Sequence, residues 1–150
     1  MAVTSDRPYR NWNFLVDFGG RDSRSVTAGF AEVIFPPFTV DQSDQRQAES
    51  MATQGAGTTE VAAGNRLILK RGVIGSLDLY AWWDKARQGK APPRRTVKIE
   101  LLSEDQSTVV LTWRFRNVRP VSLSYSPLRA IEGCVLMETF ELAFDSMEMS

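Results

Sequence analysis

Residues 67–90 read LILKRGVIGSLDLYAWWDKARQGK, and the reading of this stretch decides the fold class. Residues 67–70 have strand character, and Gly72 and Gly75 punctuate a turn. Ser76 is placed as an N-cap, which predicts a helix over 76–88. Asp78 falls in the first turn and Lys85 and Arg87 in the last, the signs that the helix dipole favours at each end. Leu79, Trp82, Trp83 and Ala86 recur at steps of three and four, so they share one broad apolar face and form the expected anchor of the helix, with Trp83 buried and Trp82 towards an edge or interface. Gly89 is a C-terminal stop, and Pro92 and Pro93 forbid continuation. Nothing else in the chain reads as a helix, so the class is mainly β with one helical insert.

Working outward, the other segments alternate with a period of two. Trp12, Phe14, Val16 and Phe18 alternate with Asn13, Leu15 and Asp17, and Gly19-Gly20 ends the run. Residues 26–35 read as a second strand with Gly29 as a bulge, broken by Pro36-Pro37, with a short edge strand over 38–40. Val97, Ile99 and Leu101 lead through a polar turn at 103–107 to Val109, Leu111, Trp113 and Phe115. Pro120 is expected to break that run, and Val121, Leu123 and Tyr125 to begin another. Leu136, Glu138, Phe140, Leu142 and Phe144 share one face of a last strand. Residues 1–11 read as a polar arm. Residues 41–64, DQSDQRQAESMATQGAGTTEVAAG, are a long loop of small and polar residues, either a surface loop or an arm that orders against a neighbouring subunit. Several strands carry apolar residues on both faces, which a partner surface or a two-sheet sandwich would cover.

The composition removes most chemistry. The 150 residues suffice for one domain with a core. Eighteen basic residues balance eighteen acidic ones, giving no electrostatic case for nucleic acid or an anionic membrane, while suiting self-association. There is no histidine, hence no histidine-based triad and none of the usual zinc sites. The single cysteine, Cys134, cannot form an internal disulfide and reads as a small core residue; no signal-peptide or membrane-span pattern occurs. No phosphate-binding glycine loop is found, and no acid pair shares a face, so no catalytic residue, cofactor or metal ligand is assigned. Arg94, Arg95, Arg114, Arg116 and Arg119 cluster in sequence, but Arg114 and Arg116 alternate with Trp113 and Phe115 as a wet face does with a dry one. Trp82-Trp83 has two readings, a ligand pocket or packing on a sheet, and a pair on a lone helix favours packing.

In this order the segments PYRNWNFLVDFGG, AGFAEV, LILKRGVIGSLDLYAWWDKARQG, RTVKIELLSEDQSTVVLTWRFRNVRPVSLSYSPL and VLMETFELAFDSMEM resemble the tail tube proteins of contractile phages and phage-derived contractile injection systems. Residues 34–64 match the family's pattern poorly. The resemblance implies two packed antiparallel sheets, a sandwich or half-barrel, with one α-helix, the sheets continuing across subunits of a hexameric ring. Rings would stack into a hollow tube driven through a target envelope by sheath contraction. It implies as partners further copies of the chain, a sheath protein, baseplate and tube-cap proteins and a cargo protein in the lumen. It places assembly in the bacterial cytoplasm, as part of a particle released outside the cell. Tyr9, Trp12, Gln45, Arg46, Met51, Thr58, Glu60 and Met147 are the candidate inter-subunit contacts. Two rivals stay open: a tube-initiator or baseplate ring of the same fold, and a monomeric β-barrel that binds a small ligand.

Overall fold

The computed structural model describes residues 2–19, 29–40, 65–90, 94–131 and 133–150. In chain order these form β1 (Phe14–Asp17), β2 (Phe30–Ile34), β3 (Arg66–Gly72), α1 (Asp78–Arg87), β4 (Arg95–Leu102), β5 (Val109–Tyr125), β6 (Met137–Ala143) and β7 (Ser146–Met149). The chain is mainly β with one helix, and every strand pairing is antiparallel. The strands follow one path, β1-β4-β5-β6-β3-β2, with β7 also on β5, and among the described residues the sheet does not close.

β5 explains how one sheet makes two layers. Its first part, 109–118, pairs with β4, and its second, 119–125, with β6. Pro120 does not end the strand, contrary to the sequence expectation. The chain instead bends there: Asn117 takes φ +54°, and Val121 is an extra residue between the Pro120–Leu142 and Ser122–Glu141 pairs. A bulge absorbs a proline that a regular central ladder could not. β6 and β7 bend with it, since they run in order along the same edge of β5 with only Phe144 and Asp145 between them. The result is a first half, β1-β4-β5-β7, and a second half, β5-β6-β3-β2, folded towards each other.

The inward faces meet in one core: Val16 and Phe18 with Val97, Ile99, Phe115 and Val118 from the first half, Leu67, Leu69, Phe140 and Leu142 from the second, and Phe144 between them. Aromatic contacts join the halves, Phe18 to Phe30 at 5.7 Å and Phe115 to Phe144 at 4.8 Å. Gly19 is forced to be glycine: its φ is +67° and a Cβ would stand 3.0 Å from the Thr96 carbonyl oxygen.

Other expectations are corrected. Gly29 is a turn residue with φ +102°, and the bulge in β2 lies between Phe30 and Glu32. Residues 38–40 are not a strand; the Phe38 ring, still half exposed, lies against Phe35 and Phe115. The N-cap of α1 is Leu77, and Ser76 Oγ merely accepts a long 3.5 Å bond from the Asp78 N–H. Gly89, with φ +74°, does terminate the helix, its N–H bonding the Ala86 carbonyl. Cys134 is exposed, not in the core. Residues 20–28, 41–64 and 91–93, on which parts of the second strand, the long loop and Pro92-Pro93 were read, lie outside the described residues.

The tryptophans exchange roles. Trp82 is 2% exposed and packs edge-on to Phe18 and tilted on Phe140, with the Arg95 guanidinium 4.6 Å from its ring centre. Trp83 is half-buried beside Tyr80 and under Arg87. The reason is the ridge each belongs to. Leu79, Trp82 and Ala86 form one ridge of the helix; Tyr80, Trp83 and Arg87 form the next, and two of those three need water.

Candidate assembly surface

Among the described residues no metal-binding cluster occurs, and no described helix is long and apolar enough to cross a membrane. A surface cavity of about 270 Å³ is lined by residues 126–129 and 134–136, without a carboxylate or a tryptophan. The arginine cluster is engaged within the chain. Arg119 bonds Asp145 at 2.8 Å with Arg94 at 3.7 Å from the same carboxylate, and Arg116 bonds Glu148 at 3.0 Å. The hydrogen bond from Arg119 holds the Asp145 carboxyl below its usual range, and that from Arg116 does the same for Glu148. Burial lowers Arg95, which is spent on Trp82.

What stands out is where the sheet is left unpaired. β4 covers one edge of β5 only as far as Val118, so over 119–125 that edge has no partner among the described residues. Ser126 donates its N–H to the Met137 carbonyl of β6 at 2.9 Å. Groups along a strand point to alternate sides, so the backbone N–H and C=O of Tyr125 and Leu123 face the open side. Among the described residues β2 pairs with β3 alone, and its outer edge has no partner. Among the described residues the second half is therefore a run of four antiparallel strands open at both ends. By contrast, the edge of β5 beyond β7 is continued by the chain's own ends: Ser150 exchanges two bonds with Thr112, and Val3 donates to the Val110 carbonyl at 2.8 Å.

Across the four open-ended strands runs a row of directly opposed residues, Phe30, Arg71, Glu138 and Tyr125. Arg71 and Glu138 are a buried ion pair through Nε and Oε1, and the guanidinium lies 5.4 Å from the Phe30 ring centre. Nη1 and Nη2 of Arg71 have no hydrogen-bond partner among the described residues. Tyr125 has its pKa raised by partial burial and by the nearby Glu138 charge. Sequence reading put Glu138 on the apolar face and missed its partner, because Arg71 sits in a strand whose Lys70 looks just as charged; the inward parity of Leu67, Leu69 and Arg71 was the available signal. The outward face of the same strands carries Ser122, Ser124, Thr139, Glu141, Lys70, Arg66 and Glu32, with Ile34 and Ile68 among them. It is rich in hydroxyls, with Ser122 Oγ donating to Glu141 at 3.1 Å and Lys70 3.7 Å from Glu32.

Of the contact candidates, Trp12 is open to solvent at 60% exposure. Tyr9 donates its hydroxyl to the Val3 carbonyl, tying the arm to itself. Met147 is turned inward and packs on the core opposite Phe115. Gln45, Arg46, Met51, Thr58 and Glu60 lie outside the described residues. Leu79 and Trp82 anchor the helix, with Trp83 beside them.

The sequence pattern of one family, described as T4-like virus tail tube protein gp19, matches residues 10–148. No curated protein sequence matches. Among solved structures, the chain is similar to one from an extracellular contractile injection system, the PVC sheath-tube complex in the extended state: TM-score 0.71, 18% identity, covering 97% of this chain and 93% of that one. It is similar to one from the anti-feeding prophage cap, a tube terminating cap: TM-score 0.72, 18% identity, covering 100% and 95%. It is also similar to one from the 6-fold symmetrised anti-feeding prophage baseplate: TM-score 0.63, 21% identity, covering 97% and 97%. At these identities the likeness is one of fold.

Proposed function

Since this chain belongs to the T4-like virus tail tube protein gp19 family, a family of structural tube proteins and not of enzymes, we propose that it is the inner-tube subunit of a contractile tail or injection system. It assembles as stacked hexameric rings around a hollow lumen, and sheath contraction drives the tube through a target envelope. The observation that supports this reading is the four-stranded half-sheet with two open edges. An open edge seeks a strand, and a closed barrel has none left over. The four strands alternate in direction, so β2 of one copy meets the 119–125 edge of the next in antiparallel sense. Rotation by a constant angle then closes the ring through one repeated head-to-tail contact. Six copies match the 6-fold symmetry named for the baseplate neighbour.

In such a ring α1 and the first half-sheet lie outside the barrel, and the outward face of the four strands becomes the lumen wall. Ser122, Ser124, Thr139 and the charged Arg66, Lys70, Glu32 and Glu141, with Ile34 and Ile68 among them, give a largely hydrated wall that a cargo protein can pass. The sheath surrounds the outer half, and cap and baseplate proteins close the ends. Trp12, Tyr9 and the 41–64 segment are assigned to contacts between copies, and assembly to the bacterial cytoplasm. The neighbours from a cap and a baseplate support a second reading, a single-ring tube initiator or terminator of the same fold. The open sheet, and the packing of Trp82 against Phe18 and Phe140, argue against a monomeric ligand-binding barrel.

Electron microscopy of the purified chain tests this. Hollow tubes of stacked rings are expected. Rings that never stack favour the initiator reading, and a monomer at every concentration sinks both.

A further inference from the structure

The two strand ends of the open-edged half-sheet are chemically unlike. At one end, where β3 begins and β6 finishes, polar groups pair: the Asn65 carbonyl accepts from Phe144, and Asp145 bridges Arg94 and Arg119, while the chain leaving β2 exposes Phe38 at 47% and Val40 at 101%. The connection from β2 to β3 also leaves from this end, since Ile34 pairs with Ile68 near the start of β3. At the other end, β3 finishes at Gly72, β6 begins at Met137 and β5 finishes at Tyr125. Here the two connections are bound together. Val73 N–H donates to the Leu136 carbonyl at 2.9 Å, and Val135 Cγ1 stands 3.3 Å from where a Gly72 Cβ would be. These connections expose large apolar side chains: Leu128 at 85%, Ile131 at 99%, Val135 at 72%, Leu77 at 70% and Ile74 at 58%.

We propose that the surface of Val73, Ile74, Leu77, Leu128, Ile131 and Val135 is the axial seat on which the next ring docks, its occupant being a second copy of this chain. This assignment rests on the hexameric-ring reading. If β2 and the 119–125 edge of β5 are consumed sideways in closing the ring, the strand ends face along the tube axis, and ring closure leaves this surface uncovered. Apolar clusters of this kind on a soluble surface mark contact sites. The two ends are built from different residues, so stacking is head to tail; such a contact does not close and generates a filament. The seat recurs in every copy of the ring, and another ring of the same chain repeats at matching spacing, so weak contacts act together. The chain carries no net charge, so copies approach without long-range repulsion. A sheath lies around the side of a tube and does not meet a surface that faces along its axis.

The test is the double variant Leu128→Asp/Ile131→Asp in the full chain, compared with wild type by electron microscopy and sedimentation. Both positions are open to solvent, so the fold is retained, checked by an unchanged thermal transition of the dissociated chain. The expected result is intact single rings with loss of tubes. Tubes of wild-type length overturn the proposal, as do normal tubes that no longer take up sheath, which would make the patch a sheath contact. A variant that stays monomeric while wild type forms rings overturns it too, since the patch would then serve lateral closure. If wild type itself forms no rings, the ring reading falls, and the axial seat with it. As a second variant, Ile74→Asp on the other connection is expected to lose stacking in the same way.

Discussion

The two halves of the sheet are finished to different degrees. In the first, the β5 edge is extended by the chain's own Val3 and Ser150, the flanking strands β1 and β7 are four residues long, and outward charges pair within the chain, as Asp17 with Lys98 and Arg116 with Glu148. Short edge strands and charges are ordinary defences against further pairing. In the second, the longest unpaired edge in the described chain runs over 119–125, and an ion pair sits on the inner face where apolar residues would pack more cheaply. A self-contained domain would finish both halves alike. One half finished and one left open is what a subunit needs, so that it folds alone and still has a single direction in which to grow.

The sharpest way to break this comparison is at Arg71–Glu138. A buried pair adds little net stability over an apolar pair, but removing one partner strands the other charge. Glu138→Gln is expected to destabilise the dissociated chain by about 3–5 kcal/mol, read by urea denaturation. Arg71→Met/Glu138→Leu should cost far less. If ring formation fails in this double variant although the fold survives, the pair serves to fix strand register across the open half. If Glu138→Gln is as stable as wild type, the pair holds nothing, and the contrast between the halves loses one of its two supports.

The next effect separates the two tryptophans. Trp82→Ala empties a space between Phe18 and Phe140 and is expected to cost about 3–5 kcal/mol. Trp83→Ala, on the half-exposed ridge with Tyr80 and Arg87, should cost about 1 kcal/mol. Equal losses in thermal or denaturant unfolding would mean that the helix is held by both ridges.

This pair also shows how far the sequence could be read. Periodicity located the helix, its broad apolar face, its glycine stop and most strands, because each of those is set by residues a few positions apart. It did not rank the tryptophans, since burial on the broad face depends on what the neighbouring ridge needs, and Tyr80 and Arg87 had to be weighed with Trp83. Pro120 was misread for a related reason. A proline forbids regular pairing, but whether the chain stops or bulges depends on β6 running alongside, a partner some twenty residues later. The open edge was illegible altogether: nothing in Val121, Leu123 or Tyr125 says that β4 begins only at Arg95, opposite Val118, and so never runs beside them.

That edge gives the third prediction. The Tyr125 N–H faces the open side, so Tyr125→Pro removes no backbone bond to β6; it deletes an outward donor and the ring opposite Glu138, and Tyr125→Ala, which loses the ring alone, is its control. The dissociated chain should change in stability by about 1 kcal/mol or less, while ring closure is lost in sedimentation. Rings that form normally would show that the 119–125 edge is not the lateral contact. The same change placed at Ser126, whose N–H does bond Met137, should instead damage the fold.

The smallest effect concerns the finished half, at its hairpin turn between β4 and β5. Asp105 accepts hydrogen bonds from the Ser103 hydroxyl at 2.5 Å and the Ser107 hydroxyl at 2.7 Å, which lower its pKa to about 2. A carboxyl whose folded pKa lies below its unfolded value contributes stability in full above the unfolded value near 3.8, and loses it as the pH falls through about 2. The group is fully exposed, so the contribution is small and screened. Acid denaturation of Asp105→Asn should therefore lack a weak component between those two pH values that wild type retains, with the two curves parallel above about pH 5. Because this turn belongs to the half that is complete within one chain, the component should be the same in dissociated subunits and in assembled rings. A dependence on assembly would place the turn at a contact between copies and remove the clean division between a finished half and an open one.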